Sequence, residues 1–168
     1  KMIFKFKKQE FRISELSTIQ YKIYTIESED RFLSDILVIQ FDGKHGFGSS
    51  GNTDSAYMEA VIEFAKSYFD SLNAIILDFR NLEYEWGDTM GRVIDTAHCN
   101  HLHAALLTSE KCYGGLHTLI EQELNAVSTE YLFQKENEAI DYLIKEHALL
   151  QKLLFASTDD KKNVSQDI

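Results

Sequence analysis

The sequence predicts an α/β domain with a mostly parallel sheet, crossover helices and an antiparallel strand flank at its amino-terminal end. Strand-like runs of nearly continuous apolar residues recur along the chain, as expected for strands covered on both faces. Each run is followed by a segment of helical periodicity, so the order β then α repeats. Helices between successive strands are typical of right-handed crossovers in a parallel sheet, whose strand order the sequence does not give.

The first part of the chain contains the predicted flank and the first buried strand. Residues 2–7 and 19–26 are rich in β-branched and aromatic side chains and predict two flanking strands. Residues 36–41 are nearly all apolar and predict a buried strand that ends at the turn signal Asp42-Gly43.

The clearest helix follows, with Asn52, Thr53 and Asp54 as candidate N-cap residues. Its apolar residues recur at helical spacing and predict a core-facing stripe. The stripe consists of Ala56, Tyr57, Ala60, Val61, Phe64, Ala65, Tyr68, Phe69 and Leu72.

The β then α order repeats three more times. Strands are predicted at residues 74–79, 102–108 and 129–133, with a loop at 83–87 and a break at Gly114-Gly115. The predicted helices carry Met90, Val93, Ile94 and Ala97; Leu116, Leu119, Ile120 and Leu124; and Ala139, Ile140, Leu143, Ile144 and Leu150. Residues 1–155 are therefore predicted as one domain, and residues 156–168 as a polar, frayed tail.

Charge limits the partners. Twenty-seven acidic against seventeen basic side chains give a formal charge of −10, which repels nucleic acid and anionic membranes and favours a protein partner with a basic surface. Lys5, Lys7 and Lys8 alternate with apolar residues and favour an edge strand over a nucleic-acid arm. Two cysteines and the lack of a secretory or membrane-spanning pattern predict a cytoplasmic protein.

Three local patterns resemble a known family. Residues 74–82 read AIILDFRNL, residues 88–91 read DTMG, and residues 132–140 read LFQKENEAI. In this order, within residues 36–143, they resemble the strand, functional loop and closing strand and helix of the STAS domain, the fold of anti-sigma factor antagonists. The resemblance implies a STAS-like fold, a phosphorylatable hydroxyl at Thr89 and an interaction face at residues 84–91.

The glycines of residues 46–51 satisfy the pattern G-x-G-x-x-G between a strand and a helix. Such glycines let a phosphate approach backbone amides at a helix start. The alternative is a flexible crossover loop whose small residues do not pack. The acidic residue expected about 20 positions further on is misplaced, because Asp78 lies inside the next strand.

His98, His101 and His103 are the candidate metal ligands, since imidazole binds zinc and two of them would share one face of a strand. A histidine at a helix end is also favoured by the helix dipole without any metal. We predict no cofactor.

The segment from Glu83 to Thr89 is the candidate partner-binding site, because acidic and aromatic side chains together suit a basic partner. Its predicted contacts are Glu83, Tyr84, Glu85, Trp86, Asp88 and Thr89. Trp86 is either an interface anchor or a plug that folds into the core.

These features favour a non-enzymatic protein-binding module, either a STAS-like regulator or an immunity protein that neutralises a basic toxin. The alternative is a small crotonase-like or metal-dependent enzyme. Oligomeric state is not predicted.

Overall fold

The computed structural model describes residues 12–69, 71–98, 102–123 and 130–163. The strands are β1 (Gln20–Thr25), β2 (Ile36–Lys44), β3 (Ala74–Glu83), β4 (His103–Leu107) and β5 (Leu132–Phe133). The helices are α1 (Arg31–Ser34), α2 (Asn52–Tyr68), α3 (Met90–His98), α4 (Tyr113–Thr118) and α5 (Glu136–Asn163). The predicted strand at residues 2–7 and the predicted helical position Leu124 lie outside the described residues.

The strands of the described ranges form one five-stranded sheet in the order β1-β2-β3-β4-β5. β1 is antiparallel to β2, and each later pair is parallel. This confirms the predicted parallel sheet and its antiparallel flank. Because β2, β3 and β4 are parallel neighbours, the loops that leave their carboxyl ends lie along one edge of the sheet, where α/β proteins commonly place binding sites.

Two strands extend beyond their predicted ends. β2 continues through Asp42 and Gly43, so the turn predicted there is wrong. Gly43 has a φ of 133°, and the pairing with β3 shifts register between Gln40 and Asp42. The glycine therefore marks an irregularity within the strand. β3 continues to Glu83, which pairs with Lys44 and belongs to the sheet rather than to the predicted loop.

Two helix-end predictions also differ from the structure. Gly114 and Gly115 lie inside α4 and do not break it. A Cβ at Gly115 would overlap the backbone carbonyl of Glu85, so this glycine permits close packing against a neighbouring loop. At the start of α2, Gly51 occupies the N-cap position without a side-chain hydrogen bond.

Apolar side chains cover both faces of the sheet, one face packing against α2 and α3 and the other against α5. All four predicted residues of α3 are buried. In α2 the predicted Tyr57, Val61 and Ala65 are buried. Phe64 and Tyr68 are 60% and 73% exposed, so their assignment to the core stripe is wrong. The buried face includes Met58 and Ile62 instead, at positions three to four residues from the other buried positions.

The carboxyl-terminal helix α5 buries Ala139 and Leu143 as predicted, whereas Ile144 is 41% exposed. Its backbone is helical through Asn163, so residues 157–163 are helical rather than frayed. The boundary at residue 155 stays a prediction. Within the described residues, no helix is both long and apolar enough to cross a membrane.

A charged group inside the sheet links β3 to α5. Asp78 is 3% exposed, and its carboxylate accepts hydrogen bonds from Nε and Nη2 of Arg80 at 2.9 and 2.7 Å. Nη2 of Arg80 also donates to Glu136 at 2.7 Å. The bonds to Asp78 raise the pKa of Arg80 above its usual value. The guanidinium therefore compensates the buried carboxylate and joins the sheet to the first turn of α5.

We expect Arg80→Met to lower the free energy of unfolding by about 3 kcal/mol, because it leaves the buried Asp78 carboxylate without its counter-charge. The double variant Asp78→Leu/Arg80→Met should lose less than the single variant. Lys135→Met is the control, since it removes an exposed pair with Glu138 and should cost less than about 1 kcal/mol. Urea denaturation measures all three, and an Arg80→Met loss equal to the control would contradict the assignment.

Candidate functional site

Two loops meet at the carboxyl edge of the sheet, where β2 and β3 end side by side. Lys44 and Glu83 are register partners, and their side chains form an exposed ion pair at 3.7 Å. Beyond the strands, the His45 N–H donates to the Glu83 carbonyl at 3.0 Å, and the Gly48 N–H donates to the Trp86 carbonyl at 3.0 Å. Backbone hydrogen bonds therefore join the loop after β2 to the loop after β3.

The side chain of His45 fills the space between these loops and α2. It is 4% exposed, with Nδ1 2.7 Å from the Gly46 carbonyl and Nε2 2.9 Å from the Ser55 hydroxyl. A neutral ring that donates from Nδ1 and accepts at Nε2 satisfies both partners. The ring meets Tyr84 edge to face, with centroids 5.3 Å apart. Burial lowers the pKa of His45, which favours this neutral form.

Glycines make room for this arrangement. A Cβ on Gly51 would overlap the His45 ring, and one on Gly87 would lie 2.7 Å from its Cε1 atom. Gly48 has a φ of 57°, which disfavours other residues, and lies directly under the Trp86 ring. The glycines of residues 46–51 are therefore in contact with neighbouring groups, so the interpretation as an unpacked crossover loop is wrong.

A nearby carboxylate disfavours phosphate binding at residues 46–51. The Gly46 N–H donates to Oδ2 of Asp54 at 2.8 Å, and the other carboxylate oxygen accepts from the Ser17 hydroxyl at 2.6 Å. Asp54, predicted as a candidate N-cap, instead holds the loop from within α2. A carboxylate at this amide competes with an anion and repels it.

Two aromatic rings lie exposed on the joined loops. Phe47 is 65% exposed and Trp86 is 38% exposed, with ring centroids 5.8 Å apart. Trp86 therefore does not fold into the core as a plug. Sequence reasoning missed Phe47 because it lies inside the glycine motif, although a large aromatic residue among glycines and serines in a loop is itself a signal of an exposed contact.

Three carboxylates lie on the strand end and loop that carry Trp86. Glu83, Glu85 and Asp88 are all exposed, as a partner-binding role requires. Tyr84 is only 2% exposed and packs against His45, so its predicted role as a partner contact is wrong. It supports the loop from beneath instead.

The candidate metal ligands do not form a ligand set among the described residues. Nδ1 of His98 lies 3.0 Å from the Ile94 carbonyl, and its ring packs edge-on against Tyr131. Among the described residues, no hydrogen-bond partner reaches the buried Nε2 of His103, and burial lowers the pKa of this ring. His101 lies outside the described residues. Where side chains are described, no group of three or more metal-binding residues comes together.

Comparison with known proteins identifies the fold. The sequence matches no protein-family model and no curated protein. The structure is similar to the crystal structure of an anti-sigma factor antagonist from Mycobacterium paratuberculosis, with a TM-score of 0.54, 11% identity and coverage of 75% of this chain and 94% of that chain. The chain has the anti-sigma factor antagonist fold. This confirms the predicted STAS-like architecture.

A second solved structure with the same fold name aligns less well. The antisigma-factor antagonist STAS domain from Rhodobacter sphaeroides is 14% identical, and the alignment covers 55% of this chain and 95% of that chain. Its TM-score of 0.29 is too low to support a structural argument.

Within this anti-sigma factor antagonist fold, Thr89 directly precedes α3 at the carboxyl edge of the sheet. Its backbone carbonyl accepts from the Arg92 N–H at 3.1 Å, and its hydroxyl donates to the Asn52 side chain at 3.2 Å. Thr89 is partly buried. A hydroxyl at a helix N-terminus is a position where added negative charge interacts favourably with the helix dipole.

We expect the free energy of unfolding to fall as the pH drops below about 6.5, because burial lowers the folded-state pKa of both His45 and His103. The unfolded chain then takes up protons first, so stability is lost with acidification. His45→Gln should lower stability at neutral pH and reduce this pH dependence by up to about 1.4 kcal/mol per pH unit. His117→Gln, on the surface of α4, is the control. Urea denaturation at several pH values measures the slope, and an unchanged slope in His45→Gln would refute the assignment.

Proposed function

We propose that this protein is a non-enzymatic binding module that forms a stoichiometric complex with a protein partner through an acidic aromatic surface. The surface comprises Phe47, Glu83, Glu85, Trp86, Asp88 and Thr89. The observation that carries the proposal is the exposed Phe47–Trp86 pair among carboxylates on hydrogen-bonded loops. Tryptophan is among the residues that contribute most when buried at an interface, and phenylalanine adds apolar contact area.

Backbone hydrogen bonds between the loops support tight binding. Hydrogen bonds from His45 and Gly48 fix the loop backbones, and the Gly48 backbone limits the space available to the Trp86 ring. Side chains that are held before binding lose less conformational entropy on association. The aromatic pair is therefore suited to act as a preformed anchor.

The charge of the surface supports a basic partner. Glu83, Glu85 and Asp88 are among the 27 acidic residues that give the chain its net charge of −10. Complementary charge accelerates encounter and penalises acidic partners, nucleic acid and anionic membranes. Lys44 offsets part of this charge through its exposed ion pair with Glu83, a pair that contributes little when solvated.

Two cytoplasmic settings are consistent with this physical description. In one, the chain regulates a partner of the anti-sigma type, which the anti-sigma factor antagonist fold supports. In the other, it is an immunity protein that masks a basic toxin, which the acidic surface supports. The identity of the captured partner distinguishes them.

The triple variant Glu83→Lys/Glu85→Lys/Asp88→Lys should abolish binding to the partner captured from source-cell lysate, because it reverses the surface charge while leaving buried residues intact. Trp86→Ala should weaken the affinity at least about 30-fold, as expected for a hot-spot residue. The measurements are pull-down at low and moderate salt, followed by calorimetric titration of the purified partner.

Tyr68→Ser is the matched control for the aromatic substitution, since this side chain is 73% exposed but lies at the far end of α2. It should bind as the unaltered protein does. Wild-type affinity in a folded triple variant would rule out this surface, and equal losses in Trp86→Ala and Tyr68→Ser would indicate a non-specific effect.

Thr89→Glu should strengthen binding to the basic partner by about 3- to 10-fold, because it adds a negative charge to the acidic aromatic surface. Phosphorylation of Thr89 should change the affinity for the partner in the same direction and by a larger factor. Thr89→Val is the control, because it keeps the shape of the side chain without adding charge. The same titration measures both variants, and unchanged affinity in Thr89→Glu would exclude Thr89 as a switch.

A further inference from the structure

A second candidate site lies at the opposite edge of the sheet from β1. It is a cavity of 770 Å³ bordered by β5, the first turn of α4 and one face of α5. Its volume is within the range of small-molecule binding sites. None of the six residues of the acidic aromatic surface lines it, so an inference about it is independent of the proposed function.

The walls of the cavity are aromatic. Tyr131 directly precedes β5 and Phe133 lies within it, and both side chains line the cavity. The Tyr142 ring on α5 packs against both, with centroids 6.3 Å from Tyr131 at an interplanar angle of 73° and 5.3 Å from Phe133 at 37°. Tyr113 lines the cavity from α4. Several rings thus face a common space from different elements.

Carboxylates line the same space. On α5, Glu138, Asp141 and Lys145 lie at helical spacing on the face that carries Tyr142, and Glu146 follows one position later. Glu130 precedes the strand side of the cavity. These residues comprise four carboxylates and one ammonium group, and Lys135 pairs with Glu138 at 3.0 Å. The lining is therefore net negative.

Burial, together with nearby carboxylates, raises the pKa of Tyr142 to about 12. A tyrosine is neutral at physiological pH even at its ordinary pKa of about 10, and this shift is in the same direction. A neutral phenol presents an electron-rich face that attracts a cation.

Aromatic faces together with carboxylates discriminate between classes of ligand. An anion is repelled by the carboxylates, and a purely apolar ligand would cover them without compensation. An alkylated ammonium ion satisfies both features, because its methyl groups pack on the rings while its charge interacts with the ring faces and the acids. We propose that this cavity binds a quaternary ammonium group, carried either by a small molecule or by a trimethylated lysine side chain.

The first test compares choline with its uncharged isostere 3,3-dimethylbutan-1-ol by calorimetric titration of the intact protein. Choline should bind at least about 10-fold more tightly, since the two differ mainly in charge. A short peptide with one trimethyl-lysine then tests whether the ammonium group is carried by a protein. The same peptide with leucine at that position is its uncharged control. If the trimethyl-lysine peptide binds more tightly than choline, the ligand is a protein side chain. If choline binds more tightly than the peptide, the ligand is a small molecule.

Variants locate the site. Tyr142→Leu should weaken choline binding about 10-fold, Tyr142→Phe should retain it because the ring face remains, and Glu146→Gln should weaken it by a smaller factor. Tyr68→Leu is the control, since this tyrosine is exposed and does not line the cavity. Thermal denaturation verifies folding.

The proposal is overturned if choline and the uncharged isostere bind equally, or if no saturable binding occurs up to about 100 mM choline. It is also overturned if a folded Tyr142→Leu variant binds choline as the wild type does. The comparison of choline with its isostere uses the unaltered chain, so the result does not depend on the folding of any variant. Loss of partner capture in the Trp86 variants has no bearing on this outcome.

Discussion

The buried ring of His45 is the contact on which the carboxyl edge of the sheet depends. It bonds to the Gly46 carbonyl and to Ser55, and thereby joins the end of β2 to α2. Its position requires glycine at residues 51 and 87, since a Cβ at either would collide with the ring. Because the ring must stay neutral to accept from Ser55, the geometry of the exposed loops is coupled to the protonation of a group that solvent barely reaches.

The register of the sheet places the loop after β2 next to the loop after β3. Lys44 and Glu83 are paired in the parallel ladder, so the two loops leave the sheet at neighbouring points. The His45 and Gly48 amides then continue the pairing beyond the strands. Phe47 and Trp86, which are distant in sequence, become neighbours for this reason. An aromatic contact surface can therefore arise from two short loops without a dedicated structural element.

The sequence predicted the repeated β and α pattern well, because buried parallel strands and the α3 stripe have strong apolar signals. The prediction is wrong where the same residue type occurs in two different structural roles. In the sequence Gly43 and Gly115 are typical of a turn or a break, yet Gly43 lies in a strand and Gly115 permits close packing. Phe64 and Tyr68 continued an apolar pattern but lie outside the buried arc. The acidic neighbours of Tyr84 indicate a surface residue, whereas its burial depends on contacts with residues distant in sequence, such as His45.

Helix ends explain how carboxylates can gather at this edge. α2 begins at Asn52 and α3 begins just after Thr89, and a hydrogen bond between these two residues brings the helix starts together. Both helix N-termini carry partial positive charge, which stabilises nearby acids such as Asp54 and Asp88. Such stabilisation comes from the backbone and does not require a basic side chain on the surface. Asp54 is bonded to the Gly46 amide and the Ser17 hydroxyl, whereas Asp88 is exposed, so the charge of Asp88 is the one that a partner can reach.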